Sequence, residues 1–184
     1  MTSKTIRAAV VQAAPVAFDI DKTLVKVSQL CAEASSNGAQ LILFPEGFIT
    51  FYPIDSTFDS YARFRTCEGR ELYRLYWESS ITIPGPVVDQ LSLISKENKI
   101  HLVIGVIERD IGTLYCTVIF FDDDGQYLGK HRKLKPTGSE RLTWGQGDGS
   151  MLPVFDTSVG RIGSVICWEN YMPLLRTAMY SKGI

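Results

Sequence analysis

The chain has 184 residues, of which 45% are hydrophobic and 21% are charged, a composition typical of a globular protein rather than a disordered one. The 19 basic and 20 acidic residues give a formal net charge of −1, which argues against partners recognised by bulk charge, such as nucleic acids or anionic membranes. We expect a cytoplasmic location, because no apolar run approaches the roughly 20 residues that span a bilayer and the first residues lack a signal-peptide pattern.

Short apolar runs and one amphipathic pattern alternate along the first quarter of the chain. Residues 6–14 are apolar and end at Pro15, which is typical of a strand buried on both faces. Residues 21–37 have helical spacing, with Asp21 as the predicted N-cap and Asn37 before a glycine as the stop. Residues 41–44 form the next apolar run. This order indicates an α/β protein with its chemistry at the strand ends.

The middle of the chain combines an aromatic segment with two predicted helices and two predicted strands. Residues 48–70 are rich in aromatic and turn residues, and the pattern leaves open whether they form a pocket wall or a packed surface loop. The spacing predicts helices over residues 71–80 and 87–99, and strands over residues 100–107 and 114–121. An Asp-Asp-Asp-Gly run then predicts a hairpin turn.

The cysteine pattern indicates neither a disulfide framework nor a zinc site. The cysteines are scattered, no C-x-x-C pair occurs, and no histidine lies near them at ligand spacing. They are Cys31, Cys67, Cys116 and Cys167. The glycine-rich residues 144–150 lack the spacing and the lysine of a phosphate-binding loop. We therefore expect no metal and no nucleotide cofactor.

Cys167 is the candidate nucleophile. Val165 and Ile166 before it are predicted to form a short buried strand, and a helix is predicted over residues 173–182. A thiol where a strand turns into a helix lies near unpaired backbone N–H groups, which favour the thiolate. The alternative is an inert cysteine that packs as a small hydrophobe. Its polar neighbours decide between the two readings.

Three polar residues follow predicted strands, and strand ends of an α/β sheet converge at one edge. Glu46 can take a thiol proton, Lys133 can offset negative charge, and Cys167 supplies the thiol. Lys135 has the same in–out phase as Lys133. His131 shares that phase as well, so we expect it to line the site without serving as the base.

Four motifs, in this order and spacing, resemble the nitrilase branch of the carbon–nitrogen hydrolase superfamily, and the resemblance runs from about Ile6 to the last residue. The motifs are Phe44-Pro45-Glu46, then His131 to Thr137 with Glu140-Arg141, then Trp144 to Ser150, and finally Ile166 to Asn170 with Met172-Pro173.

The resemblance implies a catalytic triad of Glu46, Lys133 and Cys167. It also matches Glu140 to the additional glutamate found beside the triad in the superfamily. It assigns the catalytic lysine to Lys133 rather than to Lys135, because Lys133 directly follows the His-Arg pair.

The reaction implied is hydrolysis of a nitrile to a carboxylic acid and ammonia, through a cysteine thioimidate and then an acyl thioester, without a metal or organic cofactor. Trp168, directly after the cysteine, fits nitrilases better than their amidase relatives, and its backbone is a candidate oxyanion donor. Two alternatives stay open: a thiol amidase of the same superfamily, and a non-catalytic fragment that acts only as a binding partner.

The fold implied is a four-layer α-β-β-α sandwich. Residues 1–184 are expected to be the N-terminal part of a single carbon–nitrogen hydrolase domain whose later strands and helices are absent, so that the sandwich is incomplete at the C-terminus. The resemblance further implies a small nitrile as the substrate and homo-oligomers of the full-length protein.

Overall fold

The computed structural model describes residues 5–53 and 66–184. The helices in these ranges are α1 (Ile20–Ser36), α2 (Cys67–Glu78), α3 (Pro86–Asn98) and α4 (Pro173–Ser181). The strands are β1 (Ala8–Val10), β2 (Leu41–Leu43), β3 (His101–Asp110), β4 (Thr113–Phe121), β5 (Tyr127–Arg132), β6 (Phe155–Thr157) and β7 (Gly160–Ile162). None of these helices is long and apolar enough to cross a membrane.

A mixed five-stranded sheet, in the order β1-β2-β3-β4-β5, is the centre of the structure. The first three strands are parallel, and β3, β4 and β5 pair antiparallel. The predicted Asp-Asp-Asp-Gly turn joins β4 to β5, where the Asp122 carboxylate accepts hydrogen bonds from the N–H groups of Asp124 and Gln126. Strands β6 and β7 form a separate antiparallel hairpin.

Helices α1 and α3 cover one face of the sheet, called here the helical face. They pack against each other and against side chains that alternate along β3 and β4. The buried side chains that the two helices and these strands share include Val27, Cys31, Leu91, Leu102, Ile104, Ile119 and Phe121.

The β6–β7 hairpin packs against the opposite face, called here the hairpin face, where the ring centroids of Phe120 and Phe155 lie 5.2 Å apart. The buried residues on this side are Tyr76, Val103, Ile107, Leu114, Cys116, Val118, Phe120, Trp144 and Ile166. The mixed α/β prediction is confirmed, and helices α1 and α3 with the five-stranded sheet account for one helical layer and one sheet of the expected sandwich. That residues 1–184 form one domain stays a prediction.

Several local predictions differ from the structure. The N-cap of α1 is Asp19, whose carboxylate accepts the Lys22 N–H at 3.0 Å, and Asp21 lies in the first turn. Helix α2 begins four residues before its predicted start, because Thr66 caps it through the Gly69 N–H. The strand predicted at residues 165–166 was wrong. The Ile166 N–H donates to the Glu169 carboxylate instead of to a neighbouring strand.

The aromatic segment of residues 48–70 lies partly outside the described residues, which omit 54–65. Of its described members, Phe48 is buried in the core of the helical face, and the Phe51 ring lies 5.7 Å from that of Phe18. Tyr52 reaches a buried polar cluster. The described start of the segment therefore contributes both to the core and to a polar site.

Candidate active site

Glu46 lies in a turn just beyond the C-terminal end of β2. Residues 45–47 pass directly over Gly105 of β3, and a Cβ atom there would lie 2.4 Å from the Pro45 carbonyl oxygen. The Ile49 N–H donates to the Gly105 carbonyl at 3.0 Å and ties the turn to the sheet. A glycine at position 105 therefore allows the close approach that places Glu46 at the sheet edge.

Lys133 directly follows β5 and is buried. Its N–H donates to the Cys116 carbonyl at 2.8 Å, and its own carbonyl accepts the Gly147 N–H at 2.8 Å. A Cβ atom on Gly147 would lie 2.3 Å from the Arg132 carbonyl oxygen. The glycine-rich residues 144–150, which lack the features of a phosphate cradle, thus pack tightly against the backbone that carries Lys133.

The Lys133 ammonium joins two carboxylates. Its Nζ donates to Glu46 Oε1 at 2.7 Å and to Glu140 Oε2 at 2.7 Å. Glu140 Oε2 also accepts the Thr137 N–H at 2.6 Å, as the T-x-x-E spacing of residues 137–140 favours. Glu140 Oε1 accepts the Tyr52 hydroxyl at 2.5 Å. Both oxygens of Glu140 are therefore engaged.

The charges of this cluster follow from these contacts. Desolvation acts to lower the pKa of Lys133, but its hydrogen bonds to Glu140 and Glu46 outweigh burial and raise the pKa above its ordinary value. Burial, the hydrogen bond to Glu140 and the nearby charges of Glu46 and Cys167 raise the pKa of Tyr52. Near neutral pH the lysine is thus an ammonium and the tyrosine a neutral donor.

A second thiol contacts Glu46. Cys116 Sγ lies 3.3 Å from Glu46 Oε1, and burial followed by the Glu46 charge raises the pKa of Cys116 well above its ordinary value. Cys116 is therefore a neutral S–H donor. Within the described residues, the hydrogen bonds of Glu46 go to Oε1. This arrangement leaves Glu46 Oε2 available to exchange a proton.

Cys167 begins a short 3₁₀ turn, Cys167–Tyr171, and has a positive φ of 53°. A non-glycine residue in this region is uncommon and is often found at functional sites. The residue is exposed. It lines a cavity of about 200 Å³ together with Glu46, Cys116 and residues 164–166. Cys167 and Glu46 therefore line the same small space.

His131 and Trp168, also predicted as site residues, are not among the residues that line this cavity. His131 is fully buried, and its ring nitrogens lie 2.6 Å from the Met151 carbonyl oxygen and 2.8 Å from Glu169 Oε2. It is not among the cavity-lining residues, contrary to our expectation. The Trp168 side chain is 58% exposed, and its ring centroid lies 4.9 Å from that of Tyr171.

Of the predicted residues, the structure brings Glu46, Lys133 and Glu140 into direct contact and places Cys167 on the cavity that Glu46 lines. Three contributors escaped the sequence analysis: Tyr52, Cys116 and Glu169. Weak signals existed for two of them. Cys116 stands in a run of apolar strand residues, and Glu169 is an acidic residue two positions after the candidate nucleophile.

The chemistry of these groups defines a class of protein. Among the described residues, no three His, Cys, Asp or Glu side chains lie together in a way that would hold a metal ion. A thiol and a carboxylate that line one cavity, with a buried ammonium bonded to that carboxylate, are groups suited to covalent catalysis by a cysteine. The α/β fold and these groups are compatible with an enzyme that uses a cysteine nucleophile.

The chain belongs to the carbon–nitrogen hydrolase family, whose model matches residues 7–184. It is 57% identical over 183 residues to the bifunctional nitrilase/nitrile hydratase NIT4A of Nicotiana tabacum, covering 100% of this chain and 52% of that protein. It is 51% identical over 182 residues to nitrilase 3 of Arabidopsis thaliana, covering 99% of this chain and 53% of that protein. These similarities place it in the nitrilase branch, and the chain spans about half the length of the curated relatives it matches.

Solved structures support the fold. An amidase from Nesterenkonia sp. superposes with a TM-score of 0.72 at 20% sequence identity, covering 97% of this chain and 61% of that chain. A mutant of the Nesterenkonia sp. AN1 amidase in complex with butyramide superposes with a TM-score of 0.71 at 19% identity, covering 97% and 62%. At such identities the likeness concerns the fold alone.

Proposed function

We propose that the protein hydrolyses a nitrile to the carboxylic acid and ammonia, with Cys167 as the nucleophile. The observation that carries the proposal is the shared cavity: Cys167 and Glu46 line one space, and Glu46 is held by a Lys133 ammonium. The relatives named as nitrilases, at 50–57% identity over almost the whole chain, support nitriles as the substrate class.

In the proposed mechanism, Glu46 accepts the thiol proton of Cys167, and the thiolate attacks the nitrile carbon to give a thioimidate. Lys133 stabilises the charge that develops on nitrogen. Water then adds, ammonia leaves, and a second water activated by Glu46 cleaves the acyl thioester. The net reaction consumes two waters and releases one acid and one ammonia.

Two further groups support the charge changes of this mechanism. Glu140 holds Lys133 through a second hydrogen bond and, with both of its oxygens engaged, is less suited to act as the base. Backbone N–H groups in the first turn of a helix have no partner within it, so the Trp168 N–H can donate to the developing anion. Such a donor contributes on the order of 3 kcal/mol to transition-state stabilisation.

The test is ammonia and acid release from a panel of aliphatic and aromatic nitriles and of their amides, by the purified protein and by Cys167→Ala. We expect turnover of at least one nitrile, and its loss in the variant. Turnover of amides alone would replace the proposal with a thiol amidase. A folded protein that acts on neither class would favour the non-catalytic binding partner.

The amide product is measured in the same assay, because several of the relatives carry the name bifunctional nitrilase/nitrile hydratase. After water adds to the thioimidate, loss of ammonia leads to the acid, whereas loss of the cysteine sulfur leads to the amide. The ratio of amide to acid therefore reports how this intermediate divides between the two leaving groups.

We also propose that the protein forms homo-oligomers, a property implied by its resemblance to the nitrilase branch. Leu174 and Tyr180 on α4 are 85% and 55% exposed, and exposed apolar side chains of this kind often mark protein contacts. Size-exclusion chromatography with light scattering tests this, and a monomer at all concentrations would overturn it. A cytoplasmic location stays a prediction.

A further inference from the structure

Glu169, two residues after Cys167, is fully buried, and its carboxylate joins two segments of the site. Its Oε1 accepts the Leu134 N–H at 2.6 Å, and its Oε2 accepts the Ile166 N–H at 2.6 Å. Leu134 directly follows Lys133, and Ile166 directly precedes Cys167. One carboxylate thus ties together the backbone beside the ammonium and the backbone beside the thiol.

His131 completes this arrangement. Its Nε2 lies 2.8 Å from Glu169 Oε2 and its Nδ1 lies 2.6 Å from the Met151 carbonyl oxygen. Both ring nitrogens therefore lie at hydrogen-bond distance from an oxygen atom. Burial acts to raise the pKa of Glu169, but His131 and the two backbone N–H groups outweigh burial and hold the pKa below its ordinary value. Glu169 and His131 thus form a buried, hydrogen-bonded pair.

The two segments that Glu169 joins differ in their other backbone contacts. Among the described residues, 163–166 belong to no strand, although Ile166 is extended. Lys133 is bonded through both its N–H and its carbonyl group. Through Ile166 and Leu134, the Glu169 carboxylate relates the nucleophile segment to this lysine.

We propose that Glu169, held by His131, is a positioning residue that sets the place of the Cys167 thiol relative to Lys133 and Glu46. The kinetic part of this inference rests on the proposed function. A buried pair of polar side chains is weak evidence for stability, but it can specify one arrangement of the chain. Here the specified arrangement is the approach of two reacting groups, where a displacement of 1 Å can cost about 100-fold in rate.

The test variant is Glu169→Gln. Glutamine has nearly the same shape but a single oxygen, so its NH₂ group must face either the Leu134 N–H or the Ile166 N–H and breaks one anchor. The matched control is Glu108→Gln, because Glu108 is equally buried and bonds Lys130, Arg132 and Thr117 on the helical face. Each variant removes one buried carboxylate that contacts a residue of β5.

For each variant we would measure kcat, KM, Tm and the rate of Cys167 alkylation by iodoacetamide. We expect Glu169→Gln to lower kcat about 100-fold with little change in KM and to slow alkylation, whereas Glu108→Gln lowers Tm without either effect. Equal losses of kcat in the two variants at a similar loss of Tm would overturn the proposal.

Two further comparisons cover a variant that does not fold and a protein that hydrolyses no nitrile. If Glu169→Gln does not fold, His131→Gln is compared with Glu108→Gln in the same way, and a kcat as high as that of the control would overturn the inference. If the unaltered protein hydrolyses no nitrile, the proposed function fails separately. The alkylation rates then decide, and equal rates in Glu169→Gln and Glu108→Gln would overturn the positioning role.

Discussion

Two buried clusters of carboxylates and cations lie on opposite faces of the same sheet, yet only one adjoins a nucleophile. On the helical face, Glu108 contacts Lys130, Arg132 and Thr117. On the hairpin face, Lys133 contacts Glu46 and Glu140. The alternation of side chains along β5 sends neighbouring residues to the two clusters.

The clusters differ in how fully their carboxylates are engaged. Glu108 Oε1 accepts from Lys130 and Arg132, and its Oε2 accepts from Thr117 and Arg132. The bonds to Glu46 from described residues use Oε1, and Glu46 lines the cavity. A carboxylate with both oxygens engaged stabilises structure, whereas one with an oxygen facing a cavity can exchange a proton.

Lys133→Met should have the largest effect, because it leaves the buried Glu140 carboxylate and the half-buried Glu46 carboxylate without their shared cation. We expect kcat to fall by about 1000-fold, the upper range for loss of a group that stabilises developing charge. The free energy of unfolding should fall by about 3–5 kcal/mol, as for a broken buried ion pair. Steady-state kinetics and urea unfolding measure the two effects. A kcat near that of the unaltered protein would show that the cluster is structural, like that of Glu108.

Glu140→Gln should lower kcat by about 100-fold, because the amide weakens the hold on Lys133 and lets it move relative to the thiol. Glutamine can still accept the Tyr52 hydroxyl, so the local fold should survive. The control is Tyr52→Phe, which removes only that hydrogen bond. If Tyr52→Phe lowers kcat as much as Glu140→Gln does, the Tyr52 hydroxyl itself contributes to catalysis, and the hold on Lys133 is not the main effect.

Cys116→Val should lower kcat by about tenfold, since it removes a neutral donor to Glu46 whose hydrogen bond is worth roughly 1 kcal/mol. Cys116→Ser keeps a donor at nearly the same position and should retain most of the activity. The pH profile of kcat/KM for both variants separates the donor effect from packing. Equal losses in the serine and valine variants would contradict a donor role.

Glu108→Gln should leave kcat almost unchanged and alter the dependence of stability on pH. Desolvation acts to raise the pKa of Glu108, but its bonds to Arg132 and Lys130 outweigh it, and the folded-state pKa lies below its ordinary value. Ionised Glu108 therefore contributes stability above its unfolded-state pKa, and this is lost as pH falls through the folded pKa. Thermal melts from pH 7 to pH 3 should show a shallower acid decline for the variant. An unchanged decline would contradict this.

The local pattern of apolar residues predicted most helices and strands, because this pattern depends only on the spacing of residues that are close in sequence. The apolar runs of β2, β3 and β4 and the amphipathic period of α1 agree with the structure within a few residues. The prediction failed at residues 165–166, because the partner of Ile166 is a side chain three residues later and not a strand. An apolar run does not reveal what its backbone groups bond.

The site residues also divide into those that the sequence predicted and those that it did not. Glu46, Lys133 and Cys167 stand at strand ends that any α/β sheet brings to one edge, so residue type and order were enough to propose them together. Tyr52 and Cys116 reach the site from a loop and from a strand interior, 88 and 70 residues along the chain from their partners. Long-range contacts of this kind leave no local pattern.

By itself the sequence determined the class of fold, the family and the three candidate groups, because hydrophobic period and motif spacing are properties of short segments. The tertiary structure alone decided which carboxylate is fully engaged, which thiol is buried, and that His131 bonds Glu169 instead of lining the cavity. These depend on burial and on hydrogen-bond partners, and both arise only when distant segments pack together.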